Sequence, residues 1–124
     1  MKVLVVDDET FVTETMGRFI GRLGHTPLTA ENGTRAIELY KENKPDLVLL
    51  DINLPDIKGD KVFREIKSFD KDAVIYFVTG YREEYIKAQE LNAAGYFIKP
   101  FTIEQIKTII EERKKIIEET TLKS

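Results

Sequence analysis

Four short apolar runs in this chain each end in a residue suited to handling phosphate or a metal ion. Val3-Leu4-Val5-Val6 leads into Asp7-Asp8, and Leu47-Val48-Leu49-Leu50 into Asp51. Val74-Ile75-Tyr76-Phe77-Val78 leads into Thr79, and Tyr96-Phe97-Ile98 into Lys99. Two like charges ~4 Å apart repel by about 4 kcal/mol at an effective dielectric of ~20, so Asp7, Asp8 and Asp51 in one place call for a cation. The set offers hard oxygens and no thiolate or imidazole, which selects Mg2+, with Mn2+ or Ca2+ as substitutes, over Zn2+. Magnesium keeps several waters, so Asp8 and Asp51 suit direct ligation and Asp7 ligation through water. A carboxylate beside such an ion is a competent nucleophile toward phosphorus. Lys99 and Thr79 add the positive charge and the hydroxyl donor that a phosphoryl group requires.

Each residue alone has a plainer reading. Asp7-Asp8 can cap a helix, Asp51 can be a turn residue, Lys99 a solvated charge and Thr79 a loop hydroxyl. Their coincidence at four strand ends outweighs those readings, provided that one sheet edge collects them. Continuous apolar runs of this length read as strands buried on both faces of a parallel sheet.

The intervening segments carry apolar residues at helical spacing. Val12, Met16, Phe19, Ile20 and Leu23 mark a first helix from Thr10, with Asp8 or Thr10 as its cap and Gly24 at its end. Ala36, Ile37 and Tyr40 point inward from a second helix over Thr34 to Asn43, and Val62, Phe63, Ile66 and Phe69 mark a third. A further helix is expected over Glu83 to Asn92. Thr102 then caps a long final one carrying Ile103, Ile106, Ile109, Ile110, Ile116 and Ile117, with Ile103, Ile106 and Ile110 assigned to the core. Thr26-Pro27-Leu28-Thr29-Ala30 reads as an edge strand, because Pro27 has no N–H for a central ladder. The alternation predicts an α/β fold: a doubly wound five-stranded parallel sheet with helices on both faces. The strand C-termini of such a sheet share one edge, where these folds build their sites.

At 124 residues the chain is expected to form one domain over residues 1–119, with 120–124 as a C-terminal tail. Cysteine is absent, which excludes disulfides, thiolate metal sites and Cys nucleophiles. His25 is the only histidine, matches no motif position and reads as a plain loop residue. A net charge of -3 argues against direct nucleic-acid binding. No apolar run reaches membrane-spanning length and the start carries no signal-peptide pattern, so the expected location is cytoplasmic.

Val6-Asp7-Asp8, Leu50-Asp51, Val78-Thr79-Gly80 and Lys99-Pro100-Phe101, in this order and spacing, resemble a response-regulator receiver domain of two-component signalling. The resemblance covers essentially the whole chain. It implies the flavodoxin-like strand order 2-1-3-4-5 and makes Asp51 the phosphoacceptor. It makes Asp8 a direct Mg2+ ligand and Asp7 the holder of a metal-bound water, with the backbone carbonyl of Asn53 completing the protein's share. Lys99 would pair with the phosphoryl oxygens, and Thr79 would hydrogen-bond one of them. Tyr96, three residues before the lysine, would be a switch aromatic that changes rotamer as Thr79 moves. Asn53 and Tyr81 would flank the attacking water and tune dephosphorylation, and Lys99-Pro100 would be cis. The segment between Thr79 and Lys99 is a residue or two shorter than is usual in the family.

The implied partners are a sensor histidine kinase or a His-phosphotransfer protein upstream and a further protein or output domain downstream, with a phosphorylation-dependent dimer as one output. The implied role is a switch and not a turnover enzyme. The rival reading is a haloacid-dehalogenase-like aspartyl phosphatase, which wants a second Asp two residues after the nucleophile, where this chain has Asn53.

Overall fold

A computed structural model describes residues 1–80, 89–100 and 102–123. The elements are β1 (Lys2–Val6), α1 (Thr10–Arg22), β2 (Thr26–Ala30), α2 (Gly33–Asn43), β3 (Leu47–Asp51), α3 (Gly59–Phe69), β4 (Ile75–Thr79), β5 (Gly95–Ile98) and α4 (Ile103–Lys123). The strands form one parallel sheet in the order β2-β1-β3-β4-β5. β3, the run with no polar residue before Asp51, is buried along its whole length at the centre. β2 lies at the edge, with Pro27 opposite Val3, where a missing N–H costs no inner ladder bond.

Alternate strand residues face opposite layers, as the two-residue period of a strand requires. Leu4, Val6, Val48, Leu50 and Phe77 meet Ala36, Leu39 and Tyr40 of α2 and Val62, Phe63 and Ile66 of α3. Val3, Val5, Leu47, Leu49 and Val78 meet Met16 and Ile20 of α1 and Ile106, Ile109 and Ile110 of α4. No helix among the described residues is long and apolar enough to cross a membrane.

Helix ends follow local chemistry, and some of them depart from expectation. The cap of α1 is Glu9, without a side-chain cap bond, and not Asp8 or Thr10. The Thr10 hydroxyl donates instead to Glu31, while Asp8 is exposed. At the other end Gly24 takes φ 87°, its N–H donating to Gly21 O and that of His25 to Ile20 O, a paired closure that turns the chain into β2. Phe69 is 46% exposed, because α3 ends there; its ring meets Tyr40 edge-on at 6.4 Å. Ile103 is 56% exposed at the first residue of α4, and the core takes Ile109 beside Ile106 and Ile110. Thr102 does cap α4: its hydroxyl accepts from Gln105 N–H and the Gln105 side chain accepts from Thr102 N–H, a reciprocal capping box. Of the helix expected over Glu83–Asn92, residues 83–88 lie outside the described set, as does Tyr81. Residues 90–92 form a turn with Asn92 at φ 56°.

The β3–α3 loop is clasped to α2. Asp56 accepts hydrogen bonds from Gly33 N–H (2.7 Å), Thr34 N–H (2.9 Å) and the Thr34 hydroxyl (2.6 Å), all at the helix start. The Thr34 hydroxyl first, and the two N–H groups after it, hold the Asp56 carboxyl well below the usual carboxylate range. A depressed pKa means stability that is present above about pH 4 and is lost as pH falls further. Asp56→Ala is expected to lower stability by about 1 kcal/mol at pH 7, a typical cap loss at an exposed site. The difference from the parent should shrink in urea titrations as the pH is taken below 4.

Candidate functional site

Register brings the strand ends level. Val6 pairs with Leu50, Asp51 with Val78 and Thr79 with Ile98. The ladder runs one step further at both flanks, where Asp7 N–H donates to Ala30 O at 3.0 Å and Lys99 N–H to Thr79 O at 2.7 Å. Residues that follow the strands are therefore held almost as firmly as residues within them. Asp7, Asp51, Thr79 and Lys99 converge on one edge, as the four apolar runs predicted.

Asp7, Asp51 and Thr79 are buried, and Asp8 is exposed beside them. One carboxylate oxygen from each of Asp7, Asp8 and Asp51 falls within 4.8 Å of the others. Lys99 Nζ donates to Asp7 Oδ2 at 2.6 Å and to Asp51 Oδ2 at 3.1 Å. The second oxygens are also satisfied: Asp7 Oδ1 accepts from Glu9 N–H at 2.9 Å and Asp51 Oδ1 from Asn53 N–H at 3.2 Å. Burying charge demands such pairing.

Burial pushes the Asp51 carboxyl up, against the downward pull of Lys99 and of Asn53 N–H. Burial alone would lower Lys99, but its hydrogen bond to Asp7 and the charge of Asp51 outweigh that and leave it raised, hence protonated at neutral pH. The Lys99 ammonium thus pairs with two of the three clustered carboxylates. The remaining negative charge, the all-oxygen donor set and the exposed side at Asp8 fit a hard divalent cation such as Mg2+.

The surrounding residues divide into those that line this edge and those that support it. The Tyr96 ring stacks on Phe77 at 6.2 Å and 10°, and its hydroxyl accepts from Ala93 N–H and donates to Gln89 O. Tyr96 therefore couples β5 to the turn before it. The Lys99-Pro100 bond is cis. His25 lies at the opposite edge of the sheet, where its Nδ1 meets the amino group of Met1 at 3.1 Å.

The roles of Asp56 and Lys58 in the β3–α3 loop and of Gly59 at the start of α3 escaped the sequence reading. Gly59 N–H donates to Ile52 O at 2.7 Å, and a Cβ there would lie 2.5 Å from the Asp51 carbonyl oxygen. In the sequence, Pro55 and Gly59 are the residues that mark this turn. Lys58 Nζ donates to Asn53 Oδ1 at 2.8 Å.

Residues 3–111 match the family model described as response regulator receiver domain. The chain is 29% identical over 113 residues to sporulation initiation phosphotransferase F of Bacillus subtilis, covering 90% of this chain and 91% of that protein. It is 40% identical over 102 residues to chemotaxis protein CheY of Halobacterium salinarum, covering 81% and 85%. It also spans about half, 48%, of the sensory transduction protein LytT of Oceanobacillus iheyensis, at 31% identity over 93% of this chain. Among solved structures, response regulator TrrA of Thermotoga maritima in complex with Mg2+-BeF superposes with a TM-score of 0.82 and 33% identity, covering 90% of this chain and 97% of that one.

Proposed function

Since the chain belongs to the family of response regulator receiver domains, we propose that it accepts a phosphoryl group on Asp51 from a phosphohistidine of a sensor kinase or His-phosphotransfer protein. The observation that carries this reading is the convergence of Asp7, Asp8, Asp51 and Lys99 at one sheet edge. An Asp51 carboxylate oxygen attacks phosphorus. The donor's P–N bond breaks, and its electron pair stays on the imidazole nitrogen, which takes a proton from solvent. Asp51, Asp8 and the Asn53 carbonyl would hold Mg2+, with Asp7 acting through water. The bound ion supplies charge neutralisation for the phosphoryl oxygens.

Lys99 already lies on Asp51 and can follow the new charge. Phosphorylation replaces the single negative charge of the Asp51 carboxylate by a phosphoryl group of about -1.5 to -2 with three acceptor oxygens, which pulls Lys99 and the Thr79 hydroxyl together. Tyr96, tied by its hydroxyl to the preceding turn, would convert that movement into a changed surface for a downstream protein, an output domain or a second copy of the chain. Tyr81 and Asn53 would set how long the phosphoryl group survives. The protein acts as a cytoplasmic switch loaded once per signal, not as a turnover enzyme.

The experiment is intact-mass measurement after incubation with Mg2+ and a small acyl phosphate. A single phosphoryl adduct is expected on the parent and none on Asp51→Ala; an adduct that survives this substitution would sink the assignment. Steady release of phosphate from a general monoester would favour the haloacid-dehalogenase-like alternative, against which Asn53 stands where that chemistry wants an acid.

A further inference from the structure

Lys58 occupies a position that helix physics disfavours. It is the N-cap residue of α3, with φ -66° and ψ 149° and no side-chain cap bond. Helix starts favour Ser, Thr, Asp or Asn there, and a cation faces the positive end of the helix dipole. Its ammonium reaches back instead to Asn53 Oδ1, at 2.8 Å. The backbone around it is pinned on both sides. Asp56 is clasped to the start of α2, and Gly59 N–H is bonded to Ile52 O beside Asp51. Ile57 packs against Gly33, where an added Cβ would lie 3.2 Å from Ile57 Cγ1. The fold thus sets where the lysine starts its reach.

Asn53 is in turn bound to the acceptor, its N–H donating to Asp51 Oδ1. An ammonium has three donors and no acceptor, so it can hold an amide only by the carbonyl oxygen. The contact therefore fixes which way the Asn53 carboxamide is turned.

We propose that Lys58 is a positioning residue that locks the Asn53 carboxamide through its Oδ1 and so lengthens the life of phospho-Asp51. The inference rests on Asp51 being the phosphoacceptor. In hydrolysis a water oxygen bonds to phosphorus, the bond from phosphorus to the Asp51 oxygen breaks, and the electron pair returns to the carboxylate. The water's proton leaves to solvent. Oδ1 is the only side-chain atom of Asn53 able to accept a hydrogen bond from that water and orient it. Lys58 takes one of the two lone pairs of this atom and holds the carboxamide turned toward the ammonium, and removing the ammonium frees the side chain to turn to the water.

The test loads the full chain with a small acyl phosphate and Mg2+, removes the donor and follows the loss of phosphoryl mass with time. Lys58→Met is expected to shorten the phospho-Asp51 lifetime about fivefold, the net size of one ordinary hydrogen bond. Its melting temperature should stay at the parental value. Lys58→Arg, which keeps a cationic donor, should restore the lifetime. In an Asn53→Ala background Lys58→Met should change nothing further. An unchanged lifetime in Lys58→Met, or the same acceleration without Asn53, overturns the role of Lys58 alone. Failure of the parent to form any adduct overturns the phosphoacceptor reading as well, so the two failures are distinct.

Discussion

Lys99→Met is expected to slow phosphorylation of Asp51 by a small acyl phosphate by at least 10²-fold, the loss typical when one preorganised charge is taken from a developing anion. Lys99 is the one described cation that touches both buried carboxylates, at 2.6 and 3.1 Å. Methionine keeps the apolar stem and removes only the ammonium. The same change should cost stability. Removing one partner of a buried ion pair costs about 3–5 kcal/mol, and the low end applies because the Lys99 side chain is 21% exposed.

That loss should depend on pH. Burial already raises the Asp51 carboxyl, and without Lys99 its opposing pull is gone. A raised carboxyl pKa favours the fold below the unfolded value and loses that advantage as pH rises through the folded one. The variant should therefore be closest to the parent in mildly acidic buffer and furthest from it near pH 8. Melting curves across that range check the sign, and a gap that widens toward low pH would refute the pairing. An unchanged phosphorylation rate would remove Lys99 from the chemistry.

Gly59→Ala is expected to be the most damaging change of a single methyl group. The added Cβ would lie 2.5 Å from the Asp51 carbonyl oxygen and 2.6 Å from Ile52 Cα, both backbone atoms that no rotamer change can clear. Either the loop or the end of β3 must move, and the Gly59 N–H bond to Ile52 O goes with it. Overpacking of this kind costs about 3 kcal/mol. A shift of ~1 Å at a reacting group can cost about 10²-fold in rate. Urea denaturation and the phosphorylation rate should fall together. Gly21→Ala is the control: nothing lies within 4 Å of a Cβ there. It should gain up to about 1 kcal/mol from helix propensity. If Gly59→Ala behaved like that control, the close approach would not constrain the site.

These contrasts explain what could be read in advance. A strand announces itself by a local apolar run and a helix by its period, so Leu47–Leu50 and the stripe over Val12–Ile20 were readable residue by residue. The residue types at the strand ends, Asp7-Asp8, Asp51, Thr79 and Lys99, followed from the same runs, and parallel topology implied that they share an edge. Where an apolar period ran on to the very end of a helix, expectation failed. Ile103 continues the apolar stripe of its helix, yet it is the first residue of that helix and is exposed. The cap position of α1 fell at Glu9, while Asp8 stayed exposed and the Thr10 hydroxyl went to Glu31, a contact 21 residues away in sequence.

The opening constellation thus divides cleanly. The sequence by itself determined the strands and the chemical types at their ends, because those depend on short-range pattern, while the strand order was implied by the family resemblance. Only the tertiary structure decided that Lys99 bridges Asp7 and Asp51, that Gly59 lies against the Asp51 backbone, and that Asp56 and Lys58 brace the loop beside it. Such contacts join single loop residues across the fold, and a single residue has no period to betray its partner.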